Sequence, residues 1–186
     1  MELAALIQSY VPYGVQEQRD KAAMLAFLAQ NGDSALRREQ LTAHFTASAW
    51  VVNPQRTKTL MVYHNLYHSW SWTGGHADGE PDLCAVALRE LAEETGVRHP
   101  RLVQTAPCSL EQLTVLGHVK RGEYVPSHLH LNLTWLVEVE EDEALTPCAG
   151  ENSAVRWLTT EEALRLPTEP WMVEWVYTKL ARRYMK

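Results

Sequence analysis

GGHADGEPDLCAVALRELAEETGV, residues 74–97, is the most informative segment of the chain. A glycine pair opens it, the pattern after it predicts a helix over residues 82–95, and Gly96 is a good terminator. Leu83, Val86, Ala87 and Leu91 share one side of that helix and suit burial. Glu90, Glu93 and Glu94 stand at i, i+3 and i+4, so three carboxylates crowd one face. Like charges so placed cost an isolated helix roughly a few tenths of a kcal/mol per pair. A divalent cation removes that cost, and hard ions such as Mg²⁺ or Mn²⁺ prefer oxygen ligands. Arg89, four residues before Glu93, can brace a carboxylate. The bland alternative is a solvated acidic helix end, but acid near a helix C-terminus opposes the macrodipole.

Downstream, residues 113–119 and 129–139 read as strands. In the second, Leu129, Leu131, Leu133, Trp135, Val137 and Val139 share one face, while His128, His130 and Asn132 share the other. The acidic run at 140–143 reads as a solvated turn. Residues 155–158 form a short strand, and Thr159 or Thr160 followed by Glu162 resembles a capping box. A last helix over 169–184 carries Trp171, Met172, Trp175, Val176 and Leu180 as a core stripe. Upstream, Phe45, Ala47, Ala49 and Val51 alternate with Thr46, Ser48, Trp50 and Val52, a strand that turns at 53–56 and returns over 59–63. Residues 1–42 read as helical: Ala22, Leu25, Leu28 and Ala29 recur at helical spacing, Asn31-Gly32 is a stop, and Asp33 or Ser34 could cap a second helix. The fold class is therefore α+β, with a helical N-terminal extension over 1–42 and a main domain over 43–186.

The 186 residues carry 17 Lys and Arg against 23 Asp and Glu, a net charge of −6, which argues against stable nucleic-acid binding through bulk charge. An apolar content of 46% excludes a disordered chain. No apolar run is long enough to cross a bilayer, and the opening MELAALIQSY lacks a basic region, so neither membrane nor signal peptide is expected. Cys84, Cys108 and Cys148 form no CxxC pair and read as small apolar residues in a reduced, cytoplasmic setting. Most of the negative charge is local. Residues 74–97 hold Asp78, Glu80, Asp82, Glu90, Glu93 and Glu94 against Arg89 alone.

The same stretch resembles the Nudix hydrolases, whose pattern is G-x5-E-x7-R-E-U-x-E-E-x-G-U, with U a bulky aliphatic residue. Gly75, Arg89, Glu90, Leu91, Glu93, Glu94, Gly96 and Val97 match it at full spacing. Pro81 replaces the isolated Glu, flanked by Glu80 and Asp82, and its missing N–H suits a helix start. The resemblance implies an α/β/α sandwich around a mixed sheet for residues 43–186, with 1–42 outside it. It implies a hydrolase that cleaves a diphosphate linkage in a nucleoside diphosphate joined to another moiety, with Mg²⁺ or Mn²⁺ as cofactor and in-line attack by metal-activated water. Glu93, Glu94 and the Gly75 carbonyl would be metal ligands, Glu90 a ligand or general base, and Arg89 an orienting group. A late Glu often adds a ligand or base in the family, which makes Glu151 a candidate.

Trp70 and Trp72, with His64, Tyr67 and His68, could present rings to a base; packing of the hairpin is an equal alternative. His76, beside Gly75, and His128 and His130 are candidates to touch phosphate or metal, against a polar strand face covered by a loop. Subfamily signals are absent. Gln112 occupies the place of the ADP-ribose type's proline, and Thr114-Val115 that of the dinucleoside-polyphosphate type's tyrosine. Two other readings keep the same fold: a non-catalytic nucleotide-binding or regulatory module, and a diphosphate isomerase. An isomerase needs a catalytic Cys with a His-rich metal site, and no Cys lies near residues 64–75. The N-terminal helices offer either a homodimer surface or a cover for the pocket.

Overall fold

The computed structural model describes residues 2–120 and 122–186. Its elements are α1 (Leu3–Ser9), α2 (Val15–Asn31), a 3-10 turn (Gly32–Leu36), β1 (Ala43–Val52), β2 (Lys58–His64), β3 (Ser69–Ser71), β4 (Thr73–His76) and α3 (Leu83–Thr95). There follow β5 (Arg101–Leu102), β6 (Ser109–Val115), β7 (His118–Lys120), β8 (Glu123–Val125), β9 (His128–Glu138) and β10 (Asn152–Thr159). The chain ends in α4 (Thr160–Arg165), α5 (Pro170–Met172), a π turn (Val173–Tyr177) and α6 (Thr178–Tyr184).

The sheet is mixed and centres on β1, which runs parallel to β9 from Ala43↔Leu129 to Val52↔Glu138. On its other side, β1 pairs antiparallel first with β4, from Thr46↔His76 to Ala49↔Thr73, and then with β2 at Val52↔Thr59. β10 and β3 pair with β2, while β5 and β6 pair with β9. All ten residues of β1 are buried, as a strand covered on both faces must be. On one face, Phe45, Ala47, Ala49 and Val51 join Leu131, Leu133, Trp135 and Val137 beneath Leu83, Val86, Ala87 and Leu91 of α3. On the other, Trp50, Val52, Met61 and Leu136 meet Leu158, Val176, Tyr177 and Leu180 of the C-terminal segment. The result is the expected helical sandwich around a mixed sheet.

The expected helix over 82–95 is α3. Asp82 Oδ1 accepts the Ala85 N–H at 3.1 Å, and Gly96 takes the left-handed conformation with φ 76°. Thr159 and Glu162 form the expected capping box. α1 and α2 join the main core through Ile7 and Met24, both fully buried. Among the described residues, no helix is long and apolar enough to cross a membrane. The three cysteines are free, and Cys108 is buried.

Several expectations are corrected. The strand placed at 113–119 is β6 four residues earlier, and His118–Lys120 instead pairs with β8 in a separate hairpin. Polar Ser109 and Glu111 hid the true start, because Glu111 is fully buried against Lys179 Nζ at 2.9 Å. The stripe of the last helix is broken by the π turn, in which each N–H reaches back five residues. Val176 and Leu180 stay buried, but Trp171 and Trp175 are 43% and 45% exposed. The segment after Gly32 is a 3-10 turn rather than a second α-helix. In the acidic turn, Glu143 Oε1 accepts the Arg98 N–H at 2.6 Å and Glu141 Oε1 accepts from Asn53 Nδ2 at 2.7 Å, so these carboxylates tie loops together.

Candidate functional site

α3 crosses β4 so closely that Gly75 has no room for a side chain. A Cβ there would stand 2.6 Å from both carboxylate oxygens of Glu90. Gly75 therefore lets its strand meet the acidic face of the helix edge-on. One turn further, Glu94 Oε1 accepts the Gly74 N–H at 3.0 Å, and its side chain is 6% exposed. Burial, with Glu90, Glu151 and Glu93 nearby, outweighs that hydrogen bond and pushes the Glu94 carboxyl up to about 8. Burial also raises Glu90, partly offset by Arg89, whose Nη2 donates to Glu90 Oε1 at 3.1 Å. Arg89 Nε lies 3.8 Å from Glu93 Oε1, so one guanidinium braces two carboxylates.

Glu151 belongs to the same electrostatic neighbourhood, since its charge raises both Glu90 and Glu94. Its carbonyl accepts the Asn65 N–H at 2.9 Å, and the next residue, Asn152, donates from Nδ2 to the Glu94 carbonyl at 3.0 Å. The carboxylates flanking Pro81 serve the helix start: Asp82 caps it, and Glu80 Oε1 accepts the Asp82 N–H at 2.9 Å. Gly75, Arg89, Glu90, Glu93, Glu94 and Glu151 thus come together from β4, α3 and the turn that leads into β10.

Of the aromatic candidates, Trp70 and Trp72 pack on the face of the sheet away from α3, while His64 pairs with Asn152 beside Glu151. Trp72 is buried edge-on to Tyr177, with ring centroids 5.8 Å apart, in the core beneath the C-terminal segment. Trp70 lies under the Arg156 guanidinium at 5.0 Å and edge-on to Tyr63 at 5.6 Å. His64 and Tyr67 pack ring to ring at 4.6 Å. His76, His128 and His130 form one group, and the structure adds His44, which the sequence reading missed. Ring centroids of His44 lie 5.1, 4.9 and 5.0 Å from those of His76, His128 and His130. The available signal was pairing: in the parallel register, His44 sits directly opposite His130.

The donors around Gly75 are carboxylate and carbonyl oxygens, from buried Glu94 to exposed Glu93, with a glycine where a Cβ would strike Glu90. That set fits a hard divalent cation such as Mg²⁺ or Mn²⁺.

A family model described as NUDIX domain matches residues 42–178. An m7GpppN-mRNA hydrolase from Xenopus laevis is 34% identical over 118 residues, covering 61% of this chain and 38% of that protein. A bis(5'-nucleosyl)-tetraphosphatase (asymmetrical) from Mus musculus is 35% identical over 102 residues, covering 53% of this chain and 61% of that protein. The chain therefore spans less than two thirds of the length of these relatives. Among solved structures, a C. elegans Ap4A hydrolase binary complex aligns with TM-score 0.54 at 18% identity, covering 75% of this chain and 93% of that one. An E. coli dihydroneopterin triphosphate pyrophosphohydrolase aligns with TM-score 0.56 at 13% identity, covering 75% and 95%. At these identities the structures speak for the fold.

Proposed function

Because the chain belongs to the NUDIX family, we propose that it hydrolyses a diphosphate linkage in a nucleoside diphosphate joined to a second moiety, with Mg²⁺ or Mn²⁺. The observation that carries this reading is the Glu94 carboxyl. It is buried, tied to the Gly74 N–H and pushed up to about 8 beside Glu90 and Glu151. Such a group is poised to exchange its proton for a cation as substrate chemistry demands. Glu93, Glu94 and the Gly75 carbonyl would hold the ion, with Glu151 beside them. When bound, the ion supplies charge neutralisation at the diphosphate and acidifies an attacking water.

The chain's own residues do the rest. Glu90, raised by burial, accepts the proton of the attacking water. Arg89 fixes the Glu90 and Glu93 carboxylates from the solvent side. Asn152 holds the end of α3 against β10, which fixes Glu94 relative to Glu151. Both curated relatives carry names with two nucleosides or a capped nucleoside across a 5′ polyphosphate bridge, so such compounds head the substrate panel.

The test is product release from a panel of dinucleoside polyphosphates, cap analogues, nucleotide sugars and nucleoside triphosphates, with Mg²⁺ or Mn²⁺. Turnover on at least one class, lost in Glu93→Gln and Glu94→Gln while the fold survives, is the expected result. Equal turnover in both variants, or none on any nucleotide with folded protein, overturns the reading.

A further inference from the structure

The reverse face of β4 carries a second donor set of different chemistry. Gly75 meets Glu90 on the α3 side, and successive strand residues point to opposite faces, so His76 points away from the glutamates. There it joins His44 at the start of β1 and His130 in β9. One ligand-competent nitrogen from each of the three lies within 4.8 Å of the others. Some point then lies within about 2.8 Å of all three atoms, against about 2.0–2.1 Å for a Zn–N bond. An inward shift of less than about 1 Å per side chain therefore closes the set on an ion.

Independent details point the same way. His44 is 3% exposed, and its Nδ1 lies 3.1 Å from the Gln40 carbonyl, which leaves Nε2 facing inward. Among the described residues that buried Nε2 has no hydrogen-bond partner. A backbone carbonyl on Nδ1 with Nε2 directed at the centre is the arrangement by which proteins orient a metal-binding imidazole. His128 repeats it: Nδ1 lies 2.9 Å from the Pro126 carbonyl and Nε2 lies 3.2 Å from His130 Nε2. Nitrogens of two ligands on one tetrahedral Zn²⁺ stand about 3.3 Å apart, close to this spacing. Burial also keeps His44 and His130 in the neutral, ligand-competent form.

We propose that His44, His76 and His130, supported by His128, form a binding site for a Zn²⁺-class transition-metal ion. It is separate from the glutamate site and linked to it through β4. Imidazole nitrogens select borderline ions over Mg²⁺, so the two sites of this chain sort metals by ligand type. An ion here cross-braces β1, β4 and β9 directly behind Gly75, and so fixes the strand on which the glutamate site is built.

The experiment uses the full-length, untagged chain, stripped with chelator and titrated with Co²⁺ and Zn²⁺ alone. One Co²⁺ per chain with the intense visible absorption of a tetrahedral site is expected, displaced by Zn²⁺ and untouched by millimolar Mg²⁺. Glu93→Gln/Glu94→Gln retains that spectrum. His44→Gln and His130→Gln bind Zn²⁺ about 100-fold more weakly or worse, and His128→Gln at least about tenfold. Circular dichroism checks folding; should the variant at buried His44 fail to fold, those at half-buried His76 and His130 decide. Absence of stoichiometric Co²⁺ binding in folded wild type overturns the proposal. So does loss of the spectrum in the glutamate variant, or binding of undiminished affinity in a folded His44, His76 or His130 variant.

Discussion

Lys179 Nζ stands 2.8 Å from Glu17 Oε1, joining α6 to α2 inside the protein, with Glu17 only 1% and Lys179 10% exposed. Burial alone would raise the Glu17 carboxyl, but Lys179 and the Tyr10 hydroxyl hold it below the usual carboxylate range. Replacing Lys179 by Met leaves buried Glu111 without its cation and buried Glu17 with Arg183 Nη1 alone, at 3.6 Å. Urea unfolding is expected to show a loss of about 3–5 kcal/mol. Glu17 is depressed in the folded state, so its stabilisation is present above its ordinary pKa of 4.5 and is lost as pH falls below it. Wild type should weaken in that acid range far more than Lys179→Met.

Glu94 gives the opposite sign in a different window. Its carboxyl is raised to about 8, so the folded, metal-free chain holds this proton where the unfolded chain has released it. Stability should decline as pH rises from 4.5 to about 8, by up to about 1.4 kcal/mol per pH unit. Denaturant midpoints measured in chelator should show this slope. Glu94→Gln, or saturating Mg²⁺, should flatten it.

Gly75→Ala tests the close approach of β4 and α3. The new methyl would stand 2.6 Å from the Glu90 oxygens, so that carboxylate must move. A displacement near 1 Å lowers kcat by about 100-fold. Melting temperature and kcat measured together should separate this from general destabilisation, the melting point shifting little.

Arg89 is 45% exposed and contributes little to folding through its ion pairs. Arg89→Ala should change unfolding free energy by less than about 0.5 kcal/mol. Turnover should fall about tenfold as Glu90 and Glu93 lose their brace. A steady-state assay beside a urea titration checks both halves.

The helix α3 and its acidic face were legible because one local segment carries every needed signal: cap, apolar side, carboxylate spacing and terminating glycine. β9 was legible through its alternation. What escaped depends on partners far along the chain. Ser109 and Glu111 look like loop residues until Lys179 arrives to neutralise them. Trp171 and Trp175 look like core residues until one wider turn rotates them outward. His44 carries no local mark at all; only parallel pairing sets it opposite His130.

That pairing also orders events on the ribosome. β1 is buried on both faces, yet its neighbour β9 follows it by 86 positions, from Ala43 to Leu129. While the intervening chain is being synthesised, the most apolar strand of the molecule has an open edge with no strand to fill it. Closure across so long a separation is slow. Nascent chains stalled before residue 128 should therefore remain open to proteases and to holding chaperones, and resistance should arise in one step once the stretch through residue 138 has emerged.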